Sequence, residues 1–134
     1  MRVFKFGGAS VKDAEGVINV VKVLTEIGNK DTLIVVSAMG KSTNAFEGVV
    51  DAYFKAPDSC KAALQDLEIF HQDIVKKLFK DSNGPVAKRV KNLCAQCETF
   101  LINNRSPHRA FVYDQVVSFG ELLSTSIICA YLNH

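Results

Sequence analysis

The chain has 134 residues, is 48% hydrophobic and carries 16 basic against 14 acidic side chains, a net charge of +2. That length supports one domain with a real core, about two thirds of the extended chain's surface leaving water on folding. Near-balanced charge excludes the one-sided basic surface of a nucleic-acid binder, and no apolar run approaches the roughly 18 residues that span a bilayer.

The opening "RVFKF" alternates and is rich in β-formers, so it predicts a short strand ending at Gly7-Gly8. Nothing before it resembles a secretory leader, and a cytoplasmic protein is expected. A helix follows, with Ser10 as cap and Asp13 in the third position, and Val17, Val21 and Leu24 along one face until Gly28-Asn29. "TLIVVSA" is nearly continuous in apolar residues, the pattern of a strand covered on both faces. Strand, helix and strand make a βαβ unit with parallel strands and a right-handed crossover.

From residue 43 the pattern is helical. Phe46, Val49, Val50 and Tyr53 predict one helix, with Asn44 and Glu47 as its cap, ended before Pro57. Leu64, Leu67, Ile74 and Leu78 predict a second, closed by Asn83-Gly84-Pro85. Val86, Val90, Leu93, Cys94, Cys97 and Leu101 predict a third, ending in "NNRSP". Its basic residues Lys88, Arg89 and Lys91 sit at helical spacing and read as a solvated face. Cys94 and Cys97 have C-x-x-C spacing, yet they lie inside an amphipathic pattern with no second pair or nearby histidine. Of the four cysteines, with Cys60 and Cys129 elsewhere, this pair is expected to be buried thiols. His71, His108 and His134 form no ligand-spaced set, and no metal site is expected. The last helix runs from about Asp114 to Leu132, with Val116, Leu123, Ile127 and Ala130 on one side.

Two strands alone leave a parallel pair open at both edges, whereas parallel sheets are found in multi-stranded, covered form. The expectation is therefore an α/β chain in which residues 1–134 are the N-terminal portion of a larger domain.

Lys5 lies near the C-terminal end of its strand, the edge where open α/β sheets bind ligands. Beside it, Gly7 and Gly8 let a phosphate approach the backbone amides, with a helix start aimed at the same point. The plainer alternative is a tight turn with Lys5 snorkelling at the strand end. The stretch is neither a Walker loop nor G-x-G-x-x-G. The second strand runs out into "SAMGKSTN", where Ser37, Gly40, Ser42, Thr43 and Asn44 supply hydroxyls and amides; a merely capped helix is the alternative there. In "SFGELLSTS", Glu121 interrupts an apolar helix beside Gly120, and such a carboxylate either faces solvent or holds a cation.

Together these stretches resemble the aspartokinases of the amino acid kinase family. "KFGGAS" is similar to their K-F-G-G-T-S signature, "VVSAMGKSTN" to their strand exit with serine, glycine and T-N, and "SFGELLST" to their G-E-L-x-S-T helix. The resemblance covers the whole chain in order and spacing. It implies the N-terminal part of an amino acid kinase-like three-layer sandwich, a βαβ unit followed by a helical region. It further implies transfer of the ATP γ-phosphoryl group to the side-chain carboxylate of L-aspartate, with Mg²⁺ accompanying the nucleotide. Lys5 would neutralise the transferring group, the Gly7 and Gly8 amides would hold phosphate oxygens, and Ser37 would lie near the phosphates. Thr43 and Glu121 would bind aspartate, Glu121 through its ammonium. A homo-oligomeric full-length enzyme is implied, and the rest of the nucleotide pocket and the regulatory ACT domains would lie in further sequence, so this piece alone is expected to be inactive. Ala9 stands where the family has threonine, which removes any contact through that hydroxyl. Glutamate or acetylglutamate kinases share the lysine-glycine opening, but T-N and G-E-L-x-S-T argue against them. A non-catalytic helical interaction module is the alternative of a different class.

Overall fold

The computed structural model describes residues 1–134. Strands β1 (Arg2–Phe6) and β2 (Thr32–Val36) pair in parallel, Arg2 opposite Thr32 through Phe6 opposite Val36, joined by α1 (Ala14–Ile27). Helices α2 (Ser42–Lys55), α3 (Pro57–Phe79), α4 (Pro85–Asn103) and α5 (Arg109–Leu132) follow. The α/β class, the βαβ unit and the helical region after it are as the sequence implies.

Alternation along β1 sets the two faces of the sheet. Phe4 and Phe6 turn with Ile34 and Val36 onto the core, where residues of all five helices meet in one cluster. The other face is bare: Val3, Leu33 and Val35 are 61%, 52% and 41% exposed. Within this chain the helices cover only one face of the second strand.

Three local departures from the sequence reading have simple causes. Helix α1 is capped by Asp13, whose carboxylate accepts from the Gly16 amide at 2.8 Å, and not by Ser10. Residues 7–12 instead fold into turns, Ser10 N–H donating to the Gly7 carbonyl and Val11 N–H to that of Gly8. The α1 N-terminus is therefore capped by Asp13, six residues after Gly7. Helix α2 begins at Ser42 and leaves Asn44 exposed within it rather than at its cap. Gly40, at φ +55°, reverses the chain early, and the buried Ser42 hydroxyl donates to the Met39 carbonyl at 2.6 Å. Helix α5 starts five residues sooner than its apolar pattern suggests. The Asn104 amide closes the preceding loop through Ser106 and the Tyr53 hydroxyl, so the chain can turn at once.

At 24 residues, α5 is long and apolar enough to cross a membrane on length and composition, which corrects the sequence estimate. Its fully buried Val112, Val116, Leu123 and Ile127 account for that apolarity by packing, since α5 lies against α2, α4 and β2. Burial also settles the C-x-x-C pair: Cys94 and Cys97 are both buried, and desolvation pushes each thiol up to about 12, so both stay protonated at neutral pH. At the other end of the sheet, Arg2 closes the α1 C-terminus, donating to the Ile27 and Gly28 carbonyls at 3.2 and 2.9 Å.

His71 is fully buried on α3. Its Nδ1–H donates to the Leu67 carbonyl at 2.8 Å, and its Nε2 faces no protein partner. Burial holds its pKa below the ordinary value of 6.5, against a smaller opposing effect of that hydrogen bond. The unfolded chain therefore takes up the proton first as pH falls. The stability due to the neutral ring is complete above pH 6.5 and is lost toward the lower folded value, at up to about 1.4 kcal/mol per pH unit. Urea midpoints at pH 7.5 and 5.5 should fall steeply for the wild type, and His71→Leu should flatten that difference.

Candidate functional site

The two strand exits are welded together. The Phe6 carbonyl accepts from the Ser37 amide at 3.0 Å, and the Gly8 carbonyl from the Gly40 amide at 3.1 Å. A Cβ on Gly8 would lie 3.0 Å from both the Ala38 and Gly40 carbonyl oxygens, so that glycine is required by close backbone approach. Gly7 has no such reason. Nothing lies within 4 Å of where its Cβ would be, and its φ is not positive. The amides of Gly7, Gly8 and Ala9 donate to no protein acceptor. Beside them Lys5, opposite Val35 on the bare face of the sheet, is exposed and makes no ion pair. The strand end is thus a group of uncommitted donors around a backbone that is bare for no internal purpose.

Helix α5 is seated on this edge. A Cβ on the buried Gly120 would lie 3.1 Å from the Ala38 Cβ and 3.5 Å from the Phe46 ring, and the Ser124 hydroxyl donates to the Ser37 carbonyl at 2.6 Å. Glu121 projects between these two contacts in sequence and is exposed. A ladder on the outer side fixes its level. Asp51 pairs with Arg109, and one turn back on α2 Glu47 accepts from the Tyr113 hydroxyl at 2.7 Å, one turn forward on α5. The helices are therefore antiparallel here, and each turn toward the start of α2 is a turn onward along α5. Thr43 takes the next rung and Glu121 the one after, beside the start of α2.

The structure thus gathers Lys5, Gly7, Gly8 and Ser37 at the strand exits, with Thr43 in the first turn of α2 and Glu121 on the helix lying across that exit. The side chains of Lys5, Ser37, Thr43 and Glu121 make no hydrogen bond or ion pair within the chain, while neighbouring Ser42, Ser124 and Glu47 are each engaged. The six lie on an open edge, outside the principal cavities. The largest cavity, about 650 Å³, runs instead between α2 and α3 from Lys41 to Phe70. Sequence reasoning passed over Ser124 and gave Gly120 no task; their four-residue spacing was the available signal, as both face β2.

Comparison with known proteins identifies the family and the fold. The profile of the amino acid kinase family matches residues 1–134, and the chain belongs to that family. It is 31% identical to the chloroplastic aspartokinase 1 of Arabidopsis thaliana over 98% of its length, and 26% identical to the bifunctional aspartokinase/homoserine dehydrogenase 2 of Escherichia coli K12. It spans 23% and 16% of those proteins. Its fold matches the crystal structure of E. coli aspartokinase III in complex with aspartate and ADP with a TM-score of 0.81 at 23% identity, over 99% of this chain and 29% of that one.

The two adjacent glycines should separate cleanly on substitution. Gly8→Ala should cost about 1–3 kcal/mol, because the atoms it meets are backbone and cannot swing away. Gly7→Ala should stay within about 0.5 kcal/mol of wild type. Urea denaturation of both variants checks this.

Proposed function

We propose that these residues form the amino-acid and phosphate end of an aspartate kinase, as the N-terminal portion of its catalytic domain. The enzyme would transfer the ATP γ-phosphoryl group to the side-chain carboxylate of L-aspartate, giving 4-phospho-L-aspartate, the entry to lysine, threonine and methionine synthesis. The observation that carries the reading is Gly7, a bare backbone position with no internal reason, set between an unpaired lysine and the exit on which Glu121 rides. The relatives named as aspartokinases, and the likeness to a structure containing aspartate and ADP, support the choice of substrates. Because the chain spans about a quarter of such relatives, the activity belongs to the full-length protein.

The chemistry follows from charge. An aspartate carboxylate oxygen, already ionised at neutral pH, forms a bond to the γ-phosphorus as the bond to the β,γ-bridging oxygen breaks, and ADP leaves with that electron pair. No proton need be removed from the nucleophile. The obstacle is repulsion between an anion and a polyanion, and positioning plus electrostatics carries most of such a reaction. The Lys5 ammonium at about 4 Å from a phosphate oxygen would gain about 4 kcal/mol at an effective dielectric of about 20, before desolvation. The amides of Gly7 and Gly8 add donors aimed at phosphate oxygens, with Ser37 beside them. Glu121 suits the substrate's ammonium group and Thr43 one of its carboxylates. No group of three or more His, Cys, Asp or Glu side chains converges, so these residues offer no cage for Mg²⁺. The ion would arrive on the nucleotide's phosphates.

In the full-length protein, Lys5→Ala should lower kcat/KM by at least about 10²-fold. Gly7→Ala should weaken ATP use without loss of stability, measured by ADP release with L-aspartate as acceptor. A protein that phosphorylates L-glutamate and leaves L-aspartate untouched would overturn the reading.

A further inference from the structure

The contact between Tyr113 and Glu47 lies outside the six residues above, and neither belongs to the three stretches that carry the family resemblance. We propose that Tyr113 and Glu47 are a positioning pair, whose hydrogen bond sets the register of α5 on α2 and so keeps Glu121 one turn beyond Thr43, beside the start of α2. The inference rests on the reading of Thr43 and Glu121 as ligands of the amino acid.

The geometry singles this contact out. On the inner side of α5, Gly120 meets the Phe46 ring of α2 and has no side chain to lock into a groove. Two polar links remain, both on the outer side. The Asp51–Arg109 pair is about half exposed at each end, and exposed ion pairs hold geometry weakly. The Tyr113–Glu47 bond is 2.7 Å long between two half-buried side chains and is directional. From Tyr113 the helix runs unbroken for two turns to Glu121, and Glu47 sits one turn from Thr43 on α2. A slip at this contact therefore reaches both ligands through rigid helix.

Tyr113 is a lasting donor, because the hydrogen bond to Glu47, burial and the nearby charges of Glu47, Asp114 and Glu121 all push its pKa above the ordinary value of 10.0.

The test is steady-state kinetics of the full-length protein with L-aspartate and ATP varied in turn. Tyr113→Phe should raise KM for aspartate roughly five- to twentyfold, with KM for ATP and kcat within about twofold. Glu47→Ala should do the same, Glu47→Gln, which keeps an acceptor for the phenol, should stay near wild type, and the double variant Tyr113→Phe/Glu47→Ala should be no worse than either single one. An unchanged KM for aspartate in Tyr113→Phe overturns the positioning role alone. So does a loss shared equally by aspartate, ATP and melting temperature, which marks a merely structural contact. A wild-type protein with no aspartate-dependent turnover overturns the underlying reading and this inference together.

Discussion

Gly120 occupies a point where α5 and the exit of β2 come so close that even a methyl group would sit 3.1 Å from the Ala38 side chain. That approach lets the Ser124 hydroxyl reach the Ser37 carbonyl, and it brings the last helix of the chain onto the edge formed by the first two strands. The place of Glu121 in the candidate site follows from it. A larger residue at position 120 would lift α5 away, and Glu121 with it, while leaving the strands and the glycine turn intact.

The site is also defined by how the chain spends its polar groups. Around the strand exits, hydroxyls and carboxylates that hold the fold are engaged: Ser42 to Met39, Ser124 to Ser37, Asp13 to the start of α1. Lys5, Ser37, Thr43 and Glu121 use their side chains for nothing internal. A folded chain keeps polar groups satisfied by its own atoms or by water, so these four are left to water or to a bound molecule, as the proposed function requires. The bare sheet face carries Val3, Leu33 and Val35 and, at its exit end, Lys5. It lies on the side of the sheet away from the helices, and its apolar residues explain why "TLIVVSA" reads as a doubly covered strand: the residues have that composition whether or not this chain covers them.

Much of the fold was legible because it is written in local periodicity. Both strands, the parallel pairing and the positions of five helices come from alternation, 3.6-residue spacing and breakers such as Pro57 and Gly84-Pro85. The helix starts were read less well. Ser10 and Asn44 have the chemistry of caps, but whether a cap is used depends on where the preceding turn delivers the chain. Here the turn of residues 7–12 hands that role to Asp13, and Gly40 starts α2 before Asn44 is reached. The start of α5 was missed for a similar reason, since the Asn104 contacts that close its preceding loop involve Tyr53, far away in sequence.

Residue by residue, the amino-acid order determined the secondary structure, the buried thiols of α4 and the identity of the chemically able side chains, because each of these depends on a residue and its near neighbours. Tertiary structure alone decided that Gly8 is needed for packing while Gly7 is not, that α5 lies across the strand exits, and that Tyr113 meets Glu47. Those are relations between segments up to 87 residues apart. No local pattern encodes them, because they exist only once burial of the apolar faces has chosen which helix lies on which edge.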